Sequence, residues 1–329
     1  MNLKTRSLTW EICLLSAAAL FWELTMVRFI PASIRDVGYF TNLVLLSAFL
    51  GLGAGTILGG RLPAPLRAFP FLVAVVTLVG LTLGLIDTSN PGGQFIWLGG
   101  PVDAALSGGE TPYAHLGRLL SPLGPLPANL VIPVTMLLLA TTFVPLGAAI
   151  GERFARVEPL RGYAWDIFGS LMGIALFAAL SALGTAPVVW FALGFALVAP
   201  LALRAGWGGR LAFLGAAVTA IAGAWLLSAA FVWSPYQKIA VTPVTPASLG
   251  ENADADQVVG FELKVNNDFH QMMLDLGPRA DGHPALEAWR VLYDAPYAGG
   301  PPGDVLILGA GTGNDVMAAL RAGASHVTA

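Results

Sequence analysis

The sequence predicts a mainly α-helical, multi-pass transmembrane bundle of about seven helices. A small antiparallel β unit follows, and then the first strand, turn and helix of an α/β domain. Three observations predict this. Hydrophobic residues make up 56% of the chain and charged ones 11%, against about 25% charged in ordinary globular domains. Apolar runs of about 20 residues, the length that crosses a bilayer's hydrocarbon core, recur up to Trp233. Beyond Trp233 the texture turns to alternating and turn-rich segments, closing on Val305-Leu-Ile-Leu-Gly-Ala-Gly-Thr-Gly313.

The first apolar run, Trp10 to Ile30, follows Lys4 and Arg6 and contains Glu23 and Arg28. It lacks the short core and small-residue cleavage site of a signal peptide, so it reads as a retained helix. Further spans run over Tyr39–Gly60, Phe69–Ile86, Leu130–Gly151, Ala164–Leu183, Val188–Leu203 and Leu211–Trp233, which makes seven within a domain covering 1–233. In Gly51-Leu-Gly-Ala-Gly-Thr-Ile-Leu-Gly-Gly60 the small residues allow another helix to approach closely. The stretch 87–129, rich in Gly and Pro, is too polar to cross lipid and reads as an extramembrane loop. Its Trp97, Asp103, Glu110, His115 and Arg118 have no metal-ligand spacing, so no metal is expected. The lone Cys13 rules out an intrachain disulfide and reads as a small apolar helix residue. A net charge of −3 without a basic cluster argues against nucleic acid as a partner. The lipid bilayer is the partner this composition implies.

Charge placement sets a puzzle. With the N-terminus in the cytosol, Lys4, Arg6, Arg61, Arg67, Arg153, Arg156, Arg161, Arg204 and Arg210 fall inside, and Arg28, Arg35 and Arg118 outside. That agrees with the positive-inside rule. Seven crossings would then put everything after Trp233 outside. Within the spans, Glu23, Arg28, Asn42 and Asp166 are the polar residues to weigh, because burying charge in lipid is costly. All four are expected near helix ends, serving as anchors or interhelix hydrogen-bond partners, or else in a substrate path.

After the bundle, Ser234 to Pro243 reads as extended and Val244 to Gln257 as a polar insertion. Val258 to Val265 alternates as a half-buried strand does, Asn266-Asn-Asp268 supplies turn chemistry, and Phe269 to Leu276 is the returning strand. A helix from Gly282 to Tyr297 completes a subdomain spanning 234–300. In 301–329, Val305 to Leu308 reads as a strand buried on both faces of a parallel sheet. Gly309 can take the positive φ of a sharp turn, Gly311 leaves room for a ligand against the backbone, and Gly313 lets the next helix pack close. That helix runs from Asp315 to Arg321, and Ser325 to Ala329 begins a second strand. Unpaired N–H groups at the helix start complete a nucleotide-type ligand site. The turn is neither Gly-x-Gly-x-x-Gly nor a P-loop. A parallel sheet needs several such units, so the chain is expected to be the N-terminal fragment of a longer protein.

The glycine turn resembles the first motif of the S-adenosylmethionine-binding fold, a Rossmann-like, methyltransferase-type α/β domain. The order Ser234-Pro-Tyr-Gln237, hairpin ending Leu274-Asp275, helix, glycine turn resembles the first third of the spermidine synthase family of aminopropyltransferases. Phe21-Trp-Glu23 with Arg28, Gly51-Leu-Gly-Ala-Gly55, and Arg161-Gly-Tyr-Ala-Trp-Asp166 with Gly169 are similar to bacterial proteins that fuse a multi-pass membrane region to such a domain. The resemblance implies a bacterial inner-membrane protein with its C-terminal part in the cytosol, with a homodimer as an option. It implies Gln237, Gly309, Ala310, Gly311, Thr312 and Gly313 at the site of decarboxylated S-adenosylmethionine or S-adenosylmethionine. An amine or polyamine would attack the propyl carbon beside the sulfonium. The catalytic acid is expected beyond Ala329. Two features depart from the family: Thr312 stands where it carries an acid, with Asp315 not equivalent by spacing, and Ala288, Trp289 and Arg290 stand where it carries a Tyr-His or Tyr-Gln pair before Glu.

Three activities therefore compete: an aminopropyltransferase, a methyltransferase of the same fold, and a membrane transporter or sensor with a ligand-binding soluble domain. The chain alone is expected to be inactive, its sheet being incomplete.

Overall fold

The computed structural model describes residues 3–84, 86–87, 95–98, 125–250, 257–266 and 268–329. It divides into two compact units, Met1–Val102 with Glu110–Lys238, and Asp103–Gly109 with Ile239–Ala329. Most of the 87–129 loop, including Asp103, Glu110, His115 and Arg118, lies outside the described residues. Short strands at Ile86–Asp87, Phe95–Leu98 and Pro125–Pro127 pair antiparallel.

Among the described residues seven long helices carry the first unit, with a single turn at Arg35–Gly38 besides: α1 (Leu3–Ser33), α2 (Thr41–Leu58), α3 (Phe69–Gly84), α4 (Ala128–Phe154), α5 (Pro159–Ala182), α6 (Pro187–Ala202) and α7 (Trp207–Leu226). Among the described residues six helical segments are long and apolar enough to cross a membrane, and α6 is shorter. The last helix stops at Leu226 rather than running to Trp233. Val232–Trp233 is already extended.

Lipid tails are as apolar as leucine, so no hydrophobic gain draws one helix to another. Close backbone packing has to supply the attraction. Glycine supplies the closeness. A Cβ on Gly51 would strike the carbonyl of Ala140, one on Gly55 the carbonyl of Val144, and one on Gly59 the backbone of Gly151 and Glu152. Gly147 and Gly151 answer from α4, against Leu52 and Thr56. A second seam joins α5 to α1, where Gly169 and Gly173 lie on the backbone of Cys13 and Ala17. Helix α1 is the most enclosed of the spans. Its Trp22 meets Phe69, Phe191 and Phe195 edge-on at ring distances of 5.5, 5.1 and 4.9 Å.

These contacts fix helix directions. The seams match residues in ascending order, so α2 runs parallel to α4 and α1 to α5. Thr77 against Gly223 and Leu227 against Gly80 set α3 parallel to α7. Arg153 on α4 reaches Glu11 near the start of α1 at 2.8 Å, so α4 opposes α1. Helix α6 spans the depth of α1. Arg28, towards the end of α1, lies 4.7 Å over the ring of Trp190, while Arg204 past the other end of α6 holds Glu11 at 2.5 Å. At 16 residues, or about 24 Å, α6 is shorter than the six membrane-length segments but runs opposite to α1. Arg61, Arg67, Arg153, Arg156, Arg161, Arg204 and Arg210 all border the Glu11 end. Arg28, at the other end, donates to Ser181 Oγ and to the Ser234 carbonyl. Chain residues 232–238 therefore leave the bundle at the arginine-poor end.

In the second unit, β1 (Lys238–Val244), β2 (Gly260–Val265) and β3 (Asp268–Leu274) form an antiparallel meander, Ile239 opposite Val265 and Gly260 opposite Leu274. Asn266 turns the hairpin at φ 50°. Helix α8 (Pro284–Asp294) lays Leu286 onto Val244, Val259, Leu274 and Leu276, with Trp289 and Tyr293 packed alongside. Strands β4 (Asp304–Leu306) and β5 (His326–Thr328) pair in parallel around α9 (Asn314–Arg321). The expectation that Val305 to Leu308 is buried on both faces is corrected. Leu306 is 67% and Leu308 86% exposed, because one helix beside two strands covers a single face.

Gly55→Val should separate α2 from α4. A loss of about 3 kcal/mol, typical of a severe overpacking, is expected as a lowered unfolding midpoint in detergent, whereas Gly53→Val, where an added Cβ meets nothing, should leave it unchanged.

Candidate functional site

The glycine turn between β4 and α9 is tight. Gly309, Gly311 and Gly313 have φ of 76°, 55° and 89°, a region that suits glycine, and the Gly313 N–H donates to the Ala310 carbonyl at 2.9 Å. Open space surrounds Gly309 and Gly313. Gly311 differs from its expected role. The room above it is taken by the carboxamide of Gln271, which a Cβ would strike. Gln271 is half-buried, on β3.

Asn314, at the first position of α9, explains how the turn is held against β3. Its Oδ1 accepts from the Leu274 N–H at 3.1 Å. Its Nδ2 donates to the Met272 carbonyl at 2.6 Å and to Tyr293 Oη at 3.1 Å. A primary amide has the same donor and acceptor as a peptide group, so Asn314 pairs with β3 as a neighbouring strand would. Thr312 Oγ1 adds a bond to the same Met272 carbonyl at 3.2 Å. Thr312, singled out for the ligand, thus spends its hydroxyl on the scaffold. Asp315 lies in the first turn of α9, where a negative charge complements the helix dipole. At the positions where the resembled family carries its aromatic pair, Trp289 stacks on Tyr293 at 6.3 Å and Arg290 binds the Leu276 and Gly277 carbonyls and Asp281. These are packing and loop-fastening roles.

Gln237 belongs to the first unit and the glycine turn to the second. It is exposed, in a turn where Ser234 Oγ accepts from its N–H at 2.9 Å and the Ser234 N–H donates to its carbonyl at 3.0 Å. Next to it, burial pushes the Lys238 ammonium down to about 7, while the face of Phe231, 4.4 Å from Nζ, favours the charged form.

Of the polar residues in the spans, Asp166 accepts from Ser16 Oγ at 2.5 Å, across the α1–α5 seam. Asn42 is exposed. Glu23 is 3% exposed, deep in α1 rather than near an end, and its Oε2 has no hydrogen-bond partner among the described residues. Glu11, unremarked in the sequence, proves central: both its oxygens are bonded, to Arg153 and Arg204. An acid so early in an apolar helix was the available signal. Asn314, Gln271 and Tyr293 had none, since their pairing depends on which strand lies beside the turn. No cluster of His, Cys, Asp and Glu suited to a metal occurs among the described residues.

No family model, curated protein or solved structure matches the chain.

Asn314→Ala would strand the buried Leu274 N–H. A cost of about 2 kcal/mol is expected, seen as faster proteolysis of the second unit while the helical unit stays intact.

Proposed function

We propose that the chain belongs to a membrane-bound transferase of the spermidine synthase type, which holds an adenosyl sulfonium at the 309–313 turn and passes its aminopropyl group to an amine or polyamine. The observation that carries this is the parallel β4–α9–β5 unit with a turn of three positive-φ glycines ahead of the helix. We read it as the opening of a Rossmann-like, methyltransferase-type sheet. Asp315 at the helix start suits a cationic sulfonium better than a phosphate. The open flanks at Gly309 and Gly313 leave room for an adenosyl group, and the Gln271 carboxamide is placed to meet its polar edge. In the reaction a neutral amine forms the new C–N bond at the propyl carbon as the C–S bond breaks, a thioether leaves, and a base takes the amine proton. Positioning would supply much of the rate.

Full-length protein in detergent should bind decarboxylated S-adenosylmethionine saturably and more tightly than S-adenosylmethionine in a calorimetric titration. Gly309→Val should abolish binding. Tighter binding of S-adenosylmethionine would favour the methyltransferase instead, and no binding of either would overturn both.

A second reading is favoured by the arginine bias and by the buried Glu23: a transporter or sensor whose ligand-binding unit faces away from the cytosol. The transferase reading needs the Ser234 end in the cytosol, where its cofactor is made, against that bias. With buried Cys13 as the only native cysteine, Tyr236→Cys, at an 84% exposed position, reports the orientation. Protection from an impermeant maleimide in intact bacterial spheroplasts, with labelling after lysis, is the transferase outcome. Labelling in intact spheroplasts would sink it.

A further inference from the structure

We infer that the arginine-rich end of the helical bundle holds a phosphate-class anion in a cavity between the 64–67 segment ahead of α3, the end of α4 and the end of α6. The cavity measures about 220 Å³ and is bounded by the segments 64–67 and 201–205 and by Glu152 and Arg153. Its inner wall is apolar, with Leu66, Leu201 and Ala202 buried there. Its polar lining is dominated by Arg67, Arg153 and Arg204.

The charge around it is unbalanced. Glu11 is shared by Arg153 and Arg204, at 2.8 and 2.5 Å. Glu152 is held by Arg156 at 2.8 Å, with Arg153 3.8 Å away. The Arg67 guanidinium has no ion pair or hydrogen bond among the described residues, its backbone N–H alone donating to the Ala64 carbonyl at 3.0 Å. Four guanidinium groups against two carboxylates leave two net positive charges, which match a phosphate.

The donors are unspent as well. A guanidinium carries five N–H donors. Arg153 uses Nε on Glu11 and Nη1 on the Ala149 carbonyl, and Arg204 uses Nη1 on Glu11. Among the described residues, no acceptor meets Arg153 Nη2, the Nε–Nη2 edge of Arg204 or the fork of Arg67. Glu11 thus fixes two of the three arginines in place and leaves their remaining edges for an oxyanion. Arg210 braces the wall behind Arg204 by donating to the Leu203 and Ala205 carbonyls at 2.9 and 3.0 Å. A basic pocket between helices at a membrane surface is the setting in which anionic headgroups are bound, and the same donors would take free phosphate. The two sources share one chemistry, and experiment separates them.

The test uses the full chain, delipidated in a non-ionic detergent. In one arm the unfolding temperature is followed as inorganic phosphate is added, with chloride at matched ionic strength as control. In the other, native mass spectrometry measures retention of phosphatidylglycerol or cardiolipin against phosphatidylcholine. A saturable rise with phosphate assigns the free anion, and selective retention of anionic lipid assigns the headgroup. Either supports the site if Arg67→Gln, which breaks no contact within the protein, weakens it about tenfold, the worth of one charge-assisted hydrogen bond, while the ligand-free unfolding temperature is unchanged. Should neither ligand bind selectively, or should Arg67→Gln and Arg204→Gln both bind as the unchanged protein does, the inference is overturned.

Discussion

Backbone-to-backbone contact between helices is the constraint on which the rest of the first unit depends. Between α2 and α4 the glycines sit at every fourth position on one side, with Gly147 and Gly151 opposite, so the two helices touch along several turns. The α1–α5 seam repeats the arrangement with Gly169 and Gly173. Once the seams are closed, directions are no longer free. The parallel pairings, with the antiparallel contacts of Glu11 and Arg28, force the alternation of all seven segments and hence the end at which the chain leaves. The asymmetric spread of arginines and the cavity they line follow from that alternation.

The second unit solves a different problem. A strand at the edge of a small sheet exposes a row of peptide groups that must find partners. Here β3 gives some of its own to the side chain of Asn314 rather than to another strand, and the turn and α9 are fastened to the meander by that residue. The glycine turn is therefore held in place by a residue immediately after it. Gln271, one residue before Met272 on the same strand, reaches over Gly311. The strand that steadies the turn also supplies the side chain that fills the space over Gly311.

Much of this was legible in the sequence. The apolar runs located six helices long and apolar enough to cross a bilayer, and where a seventh was expected the structure has a shorter helix, Pro187–Ala202. The small residues of 51–60 announced a close helix contact because only a missing side chain permits one. The limit of α7 was misjudged because Leu227 to Trp233 is as apolar as a helix yet turns. Glu23 was placed near a helix end because nothing local shows that α1 runs on to Ser33 and encloses it. The space at Gly311 was read as free because a glycine pattern tells what the backbone does and not what a distant strand brings to it. Asn314, Glu11 and Gln271 take their roles from partners 21 or more residues away, and no local pattern encodes such partners.

The enclosure of α1 carries a consequence for how the protein is made. Several polar groups of α1 have partners that lie far along the chain. Glu11 waits 142 residues for Arg153 and 193 for Arg204. Ser16 waits 150 for Asp166, and Arg28 waits 206 for the Ser234 carbonyl. Until those segments are made, Glu11, Ser16 and Arg28 lack these partners, while Thr25 and Ser33 are satisfied at once by the Phe21 and Phe29 carbonyls of α1 itself. Arg153 and Asp166 arrive with α4 and α5, while Arg204 and the Ser234 carbonyl follow only after α6, so the first helix acquires its polar partners in stages as the chain lengthens.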